Sequence, residues 1–250
     1  MQIHALCKPL LNSTVLTASS EIFGDGFSRL FADHEQSRSN GRPFRMLDCH
    51  GVGNPGKSSG YEDVAAEFIA GRGRNSSGVG ASVVADWSRT LPGGATILDL
   101  GCGTGVPISQ ALIERGFKVY GVDASPTIVA AFRANFPNVP VECAAVEDSD
   151  FFARTFNAVV AWGLVFLLDP EVQRRLIKKV AGVLESGGRL LFTAPTETDE
   201  WGRFPDVMTG RPQFSLGYEE YRKALEAEGM FLVGTHRDEG KNHYYLAKRT

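Results

Sequence analysis

The segment ILDLGCGTGVP, residues 97–107, decides the fold class of this chain. It opens with residues that are apolar apart from Asp99, three glycines alternate with other residues over 101–105, and an apolar helical pattern follows from Val106. An apolar strand that runs through a glycine turn into a helix is the first unit of an open α/β sheet, in which ligands bind at the strand's carboxyl end. Glycine suits such a turn because it adopts positive φ and lets a ligand approach the backbone closely.

The glycine spacing differs from that of dinucleotide-binding proteins. A dinucleotide fingerprint has the spacing G-x-G-x-x-G, which requires a third glycine where this chain has Val106. The observed spacing is G-x-G-x-G. This spacing therefore argues against an NAD(P)-dependent oxidoreductase, which stays an alternative hypothesis.

Apolar strands and helices alternate around this segment, which predicts a doubly wound α/β sheet with strands buried on both faces. Two helices come first, over 61–71 and 79–91. The predicted strands are 96–100, 118–123, 140–146, 156–163 and 189–194. The helices among and after them are 106–116, 125–136, 169–188 and 217–229. Ser125 followed by Pro126 marks one helix start, and segments 230–237 and 242–248 form an antiparallel pair at the end.

Composition excludes several classes of protein. Apolar residues make up 43% and charged residues 22% of the 250, which is a globular balance. The formal net charge of -3 argues against a nucleic-acid partner or an anionic membrane, and no apolar run is long enough to span a bilayer. The four cysteines lie far apart, which predicts reduced thiols in a cytoplasmic protein and no metal site. Nothing in the pattern defines an oligomeric state.

Residues 1–58 differ from the rest, because they are rich in Ser, Asn, Gly and Arg and lack sustained periodicity. We predict a weakly ordered N-terminal extension over 1–58 and one domain over 59–250. The string GVGNPGKSS, residues 51–59, matches the phosphate-loop pattern G-x-x-x-x-G-K-[ST]. Only a weak strand precedes it and no strong helix follows directly, so the string predicts a flexible linker rather than a nucleotide site.

Five segments, in this order, resemble the class I S-adenosylmethionine-dependent methyltransferases. They are ILDLGCGTG, VYGVDAS, ECAAVED, FNAVVAWGLVFLLDPE and VLESGGRLLFTAP, and the resemblance covers residues 61–250. It implies a Rossmann-like, seven-stranded, mostly parallel sheet with an antiparallel last strand. It also implies S-adenosyl-L-methionine as cofactor and methyl transfer to an oxygen or nitrogen of a small molecule. A non-catalytic cofactor-binding scaffold is a further alternative.

The resemblance implies a role for each residue at the carboxyl edge. The loop that lies against the methionine part of the cofactor comprises Gly101, Cys102, Gly103 and Gly105. Asp123, followed by Ala124, is suited to accept bonds from both ribose hydroxyls. Asp99 either helps to hold the cofactor's ammonium group or holds the loop in place.

The resemblance leaves alternative roles for the residues expected at the adenine, at the pocket wall and at the methionine carboxylate. Val146 and Glu147 frame the adenine, although Asp148 is an alternative acid and either acid could cap a helix instead. Trp162 either lines the cofactor or substrate pocket or packs in the core. Arg74, or Arg72 beside it, either pairs with the methionine carboxylate or is a solvated surface residue.

A base is needed only if the accepting atom carries a proton. His243 is the candidate, with His236 and Tyr244 behind it, because the turn between the last two strands would lie at the cofactor edge; the alternative is a structural histidine. The loop 196–214 has the length, and the mixture of aromatic and polar residues, of a loop that covers a substrate. Its large apolar side chains are Trp201, Phe204, Met208 and Phe214. The turn AWGL lacks the Asn/Asp-Pro-Pro-aromatic pattern of enzymes that methylate bases, which favours a small-molecule acceptor.

Overall fold

A computed structural model describes residues 55–198, 205–237 and 242–250. Its sheet has seven strands in the order β3-β2-β1-β4-β5-β7-β6. The strands are β1 Thr96–Leu100, β2 Lys118–Asp123, β3 Val141–Cys143, β4 Phe156–Ala161, β5 Leu184–Thr193, β6 Met230–Arg237 and β7 His243–Arg249. Strands β1 to β5 pair parallel with one another, and β7 pairs antiparallel with both β5 and β6. The predicted doubly wound sheet with an antiparallel last strand is confirmed.

Six α-helices lie in the described part of the chain. They are α1 Ala65–Ala70, α2 Ala81–Ser88, α3 Ile108–Ile113, α4 Pro126–Asn135, α5 Pro170–Val183 and α6 Tyr218–Ala227. Alternate strand residues face opposite layers: Leu98 packs with α5 and α6, whereas Ile97 packs with α2 and α3. Both faces are therefore buried, which explains the nearly continuous apolar strands. None of these helices is long and apolar enough to cross a membrane.

Local signals located helix starts better than helix ends. Ser125 caps α4 as predicted, with its hydroxyl accepting the N–H of Ile128 at 3.2 Å. The predicted helix over 169–188 is too long, because α5 ends at Val183 and β5 begins at Leu184. Leu184 pairs with Phe156 of β4, and a shift in register follows before the regular ladder.

A buried polar cluster joins α5, α6 and the chain before α6. The Gln173 side chain donates from Nε2 to the carbonyl oxygens of Leu168 and Phe214, at 2.8 and 3.2 Å. Its Oε1 accepts the Tyr221 hydroxyl at 2.7 Å. Both side chains are fully buried, so this cluster fixes how the loop 205–216 returns to the sheet edge.

We expect Tyr221→Phe to lower the free energy of unfolding by about 1–3 kcal/mol, because Gln173 Oε1 is left buried without its donor. Urea unfolding monitored by circular dichroism measures the change. The matched control is Tyr218→Phe on the same helix, where the ring is 37% exposed; its effect should stay within about 0.5 kcal/mol. Equal losses in both variants would contradict this account of the cluster.

Candidate functional site

The glycine loop leaves β1 at the carboxyl edge of the sheet, where the strand order reverses between β1 and β4. The N–H groups of Gly101 and Cys102 both donate to the carbonyl oxygen of Val122, at 2.8 and 3.1 Å. All three glycines of the loop have positive φ, as the sequence predicts. The intervening Cys102 and Thr104 side chains are buried, so the loop presents backbone rather than side chains to a ligand.

Asp123 ends β2 beside this loop. Its Oδ2 accepts the N–H of Gly103 and its Oδ1 accepts the N–H of Ser125, both at 3.0 Å. Burial raises the pKa of Asp123, although these backbone donors oppose the shift. Each carboxylate oxygen accepts more than one hydrogen bond, so the half-buried side chain keeps capacity for further hydroxyl donors.

Asp99 lies beneath the loop and is 1% exposed. Its Oδ2 accepts the hydroxyl of Ser109 in α3 at 2.6 Å, which joins β1 to the helix that follows the loop. Burial, together with the neighbouring Asp123, raises the pKa of Asp99 to about 7. The bond to Ser109 supports the loop-holding role of Asp99, and its contact with a cofactor ammonium stays a prediction.

The segment predicted to frame adenine is held by two lysines that the sequence did not indicate. Lys179 Nζ donates to the carbonyl oxygens of Val146 and Glu147, at 2.9 and 3.0 Å. Lys57 Nζ lies 2.7 Å from Oδ1 of Asp148, so that carboxylate already has a cationic partner. Lys57 belongs to the phosphate-loop string, of which residues 51–54 lie outside the described chain.

Residues 58–74, the N-terminal cover, lie over the glycine loop. Thr104 donates its hydroxyl to the carbonyl oxygen of Gly73 at 2.8 Å. A Cβ placed on Gly103 would be 3.2 Å from the Phe68 ring, so that ring lies directly against the loop. Arg72 and Arg74 flank Gly73 in a short 3-10 turn, and both are exposed.

Glu62 joins the N-terminal cover to the start of α4. Its carboxylate accepts the N–H and the hydroxyl of Thr127, at 3.2 and 2.6 Å, and also the hydroxyl of Ser125. These bonds outweigh desolvation, so the pKa of Glu62 is lowered. An acid at a helix N-terminus is favourable because the unpaired N–H groups there carry partial positive charge.

The loop 205–216 meets the N-terminal cover through Asp206. This buried carboxylate accepts the N–H groups of Met208 and Thr209, at 3.0 and 2.9 Å, and the hydroxyl of Tyr61 at 3.3 Å. Burial and the charge of Asp206 raise the pKa of Tyr61. Part of the predicted substrate cover is therefore ordered against the site; Trp201 and Phe204 lie outside the described residues.

Aromatic side chains lie along the same edge from β4 outward. Trp162 follows β4, and its ring centroid is 5.9 Å from that of Tyr244 in β7. The His236 ring stacks on Tyr244 with centroids 5.5 Å apart. His243 contacts the end of β5 through its carbonyl oxygen, which accepts the N–H of Ala194 at 3.1 Å. Because side chains alternate along a strand, His243 shares its face with residue 245 and not with Tyr244.

The structure thus places Gly103 of the glycine loop in contact with Asp123. His243 and Tyr244 lie on opposite faces of the sheet. Within the described ranges, no cluster of three or more His, Cys, Asp or Glu residues is arranged to hold a metal ion.

Comparison with known proteins matches a methyltransferase domain model to residues 97–188. Aklanonic acid methyltransferase DauC of Streptomyces sp. (strain C5) is 28% identical over 146 residues, covering 55% of this chain and 61% of that protein. An uncharacterized methyltransferase of Mycobacterium tuberculosis is 34% identical over 118 residues, covering 47% and 46%. The chain thus spans less than two thirds of the length of these curated relatives.

Among solved structures, SAM-bound CalS10, an amino pentose methyltransferase from Micromonospora echinaspora, is similar with a TM-score of 0.57. It is 23% identical and the match covers 75% of this chain and 97% of that one. This likeness agrees with the sheet order described above.

The sheet order and the glycine loop define the class of Rossmann-like α/β proteins with a ligand-binding carboxyl edge. Within that class, residues 97–188 match a methyltransferase domain.

We expect Asp99→Asn to remove a pH dependence of stability. The folded pKa of Asp99, about 7, is above the unfolded value of about 3.9. The folded state therefore binds this proton more tightly, and stability falls as pH rises from about 4 to about 7. Urea unfolding should show the wild type losing stability relative to Asp99→Asn over this range.

The matched control is Asp86→Asn, an exposed acid of α2 whose side chain is 72% exposed. Its stability difference from the wild type should stay constant with pH. A constant difference for Asp99→Asn as well would contradict the raised pKa.

Proposed function

We propose that this chain transfers a methyl group from S-adenosyl-L-methionine to an oxygen or nitrogen of a small molecule. The observation that carries the proposal is the pairing of the glycine loop with Asp123. The Gly103 N–H bonds to a carboxylate that ends β2, and the loop presents backbone at the carboxyl edge. Ligands of open α/β sheets bind at this edge.

The residues at the edge fit the chemical parts of this cofactor. Asp123 would accept the ribose hydroxyls, and the loop 101–105 would lie against the methionine part. Val146 and Glu147 would frame the adenine, with their backbone held by Lys179. Arg72 or Arg74, exposed at the border of the N-terminal cover, would pair with the methionine carboxylate.

When bound, the cofactor would supply an electrophilic methyl group on a sulfonium, and its transfer to the acceptor would leave an uncharged thioether. The protein's contribution is alignment and exclusion of water. Phe68 and Thr104 hold the N-terminal cover against the loop, which shields this edge. Where the acceptor atom carries a proton, His243 would receive it.

The acceptor class follows from charge and from the relatives' names. DauC is named for aklanonic acid and CalS10 for an amino pentose, and both are small molecules. The net charge of -3 gives no general attraction to nucleic acid. Among the described residues, Cys102 and Cys143 are buried and form no disulfide. This supports a cytoplasmic location, which fluorescence microscopy of a tagged chain would test.

Isothermal titration calorimetry tests cofactor binding. We expect the wild type to bind S-adenosylmethionine and Asp123→Asn to bind it about 10- to 150-fold more weakly, because a charge-assisted hydrogen bond contributes about 1.5–3 kcal/mol. Asp86→Asn on α2 is the matched control and should bind as the wild type does. A folded wild-type protein that releases no heat with the cofactor would refute the proposal.

A methyl-transfer assay on metabolite extract with labelled cofactor, followed by mass identification, provides the product. With that acceptor, His243→Gln should lower kcat by about 100- to 10,000-fold. Cofactor affinity should not change. An unaltered kcat would assign His243 a structural role instead.

A further inference from the structure

Three aromatic rings form a continuous row across the carboxyl edge of the sheet. Trp162, Tyr244 and His236, the aromatic row, come from β4's end, β7 and β6. Successive ring centroids are 5.9 and 5.5 Å apart, with interplanar angles of 40° and 22°. These separations are those at which aromatic rings attract one another.

β5, the strand between β4 and β7, carries a small side chain beneath this row. β5 carries Thr193 in register with Tyr244, and the Thr193 hydroxyl accepts the N–H of Gly163 at 2.7 Å. The threonine is 4% exposed, so a small side chain lies under the contact between the two larger rings.

The Trp162 indole is held in place from the α2 side. A Cβ placed on Gly80 would lie 2.3 Å from indole atom Cε2, so the ring packs against the backbone at the start of α2. Only glycine allows this approach, and Gly80 also has φ of +96°. The indole therefore packs directly on backbone.

The aromatic row begins beside the glycine loop. Leu164, two residues after Trp162, packs against Gly101, where an added Cβ would be 3.0 Å from the Leu164 Cβ. The row then extends outward, because Trp162 and Tyr244 are half-buried and His236 is exposed. Val79, next to Gly80, is 59% exposed. An apolar, partly exposed surface therefore adjoins the expected point of methyl transfer.

We propose that the acceptor is a planar aromatic compound that stacks on the aromatic row, an inference that rests on the proposed function. Fixed aromatic rings at the edge of a site bind flat π systems better than saturated rings of the same size, because the ring quadrupoles pair offset or edge to face. The exposed His236 imidazole gives the row a polar group that can bond to ring substituents.

Two probes of matched size test the stacking. The full chain, saturated with S-adenosylhomocysteine, is titrated with 2-naphthol and with its saturated counterpart decahydro-2-naphthol, and binding is followed by saturation-transfer NMR. We expect binding of 2-naphthol and a markedly weaker signal from the saturated alcohol. Equal binding of the two probes, or no binding of 2-naphthol, would overturn the proposal.

Variants locate the site. Tyr244→Leu and His236→Leu keep apolar volume but remove a ring, and each should weaken 2-naphthol binding by about 2- to 12-fold. His236 is exposed, so its variant tests the row even if Tyr244→Leu fails to fold. Tyr218→Leu, on α6 at the other face, is the control and should bind as the wild type does. If the ring variants bind 2-naphthol as tightly as Tyr218→Leu does, the aromatic row is not the binding site.

Calorimetry with S-adenosylmethionine, run on the same samples, separates the two proposals. Cofactor binding without 2-naphthol binding would reject the aromatic acceptor and leave methyl transfer standing. Absence of cofactor binding in a folded protein would reject methyl transfer itself, and with it the role of the row as an acceptor site.

Discussion

The hydrogen bond between Asp123 and the Gly103 N–H is the constraint on which the rest of the site depends. It forms because β1 and β2 are parallel in a register that pairs Leu100 with Val122, which brings the end of one strand beside the turn of the other. The same carboxylate accepts the Ser125 N–H and so sets the start of α4. One half-buried carboxylate therefore fixes the glycine loop, the strand end and the next helix together.

Much of the fold could be predicted because its signals are local. The glycines of the loop 101–105 and the Ser125–Pro126 helix start are read within a few residues. The antiparallel last strand came from the family resemblance and not from periodicity, and its place between β5 and β6 was not predicted. The start of β5 was misplaced because Leu184 continues the helical spacing of α5, whereas its partner Phe156 is far away in sequence.

The contacts that hold the site could not be predicted from local pattern. Lys57 and Asp148 are 91 residues apart in the chain, and Tyr61 and Asp206 are 145 apart. A lysine that fixes a backbone segment, such as Lys179, has the same surroundings in sequence as a solvated one. The roles of these residues depend on partners that are distant in sequence, so they are known only from the folded structure.

The bonds from Glu62 to Ser125 and Thr127 have a consequence for motion. Through them, the N-terminal cover accepts hydrogen bonds from the first turn of α4 that water would otherwise accept. Water can replace each of these bonds, so losing them would leave the sheet and its core unchanged. Separation of the cover from α4 would therefore be a local event that requires no global unfolding.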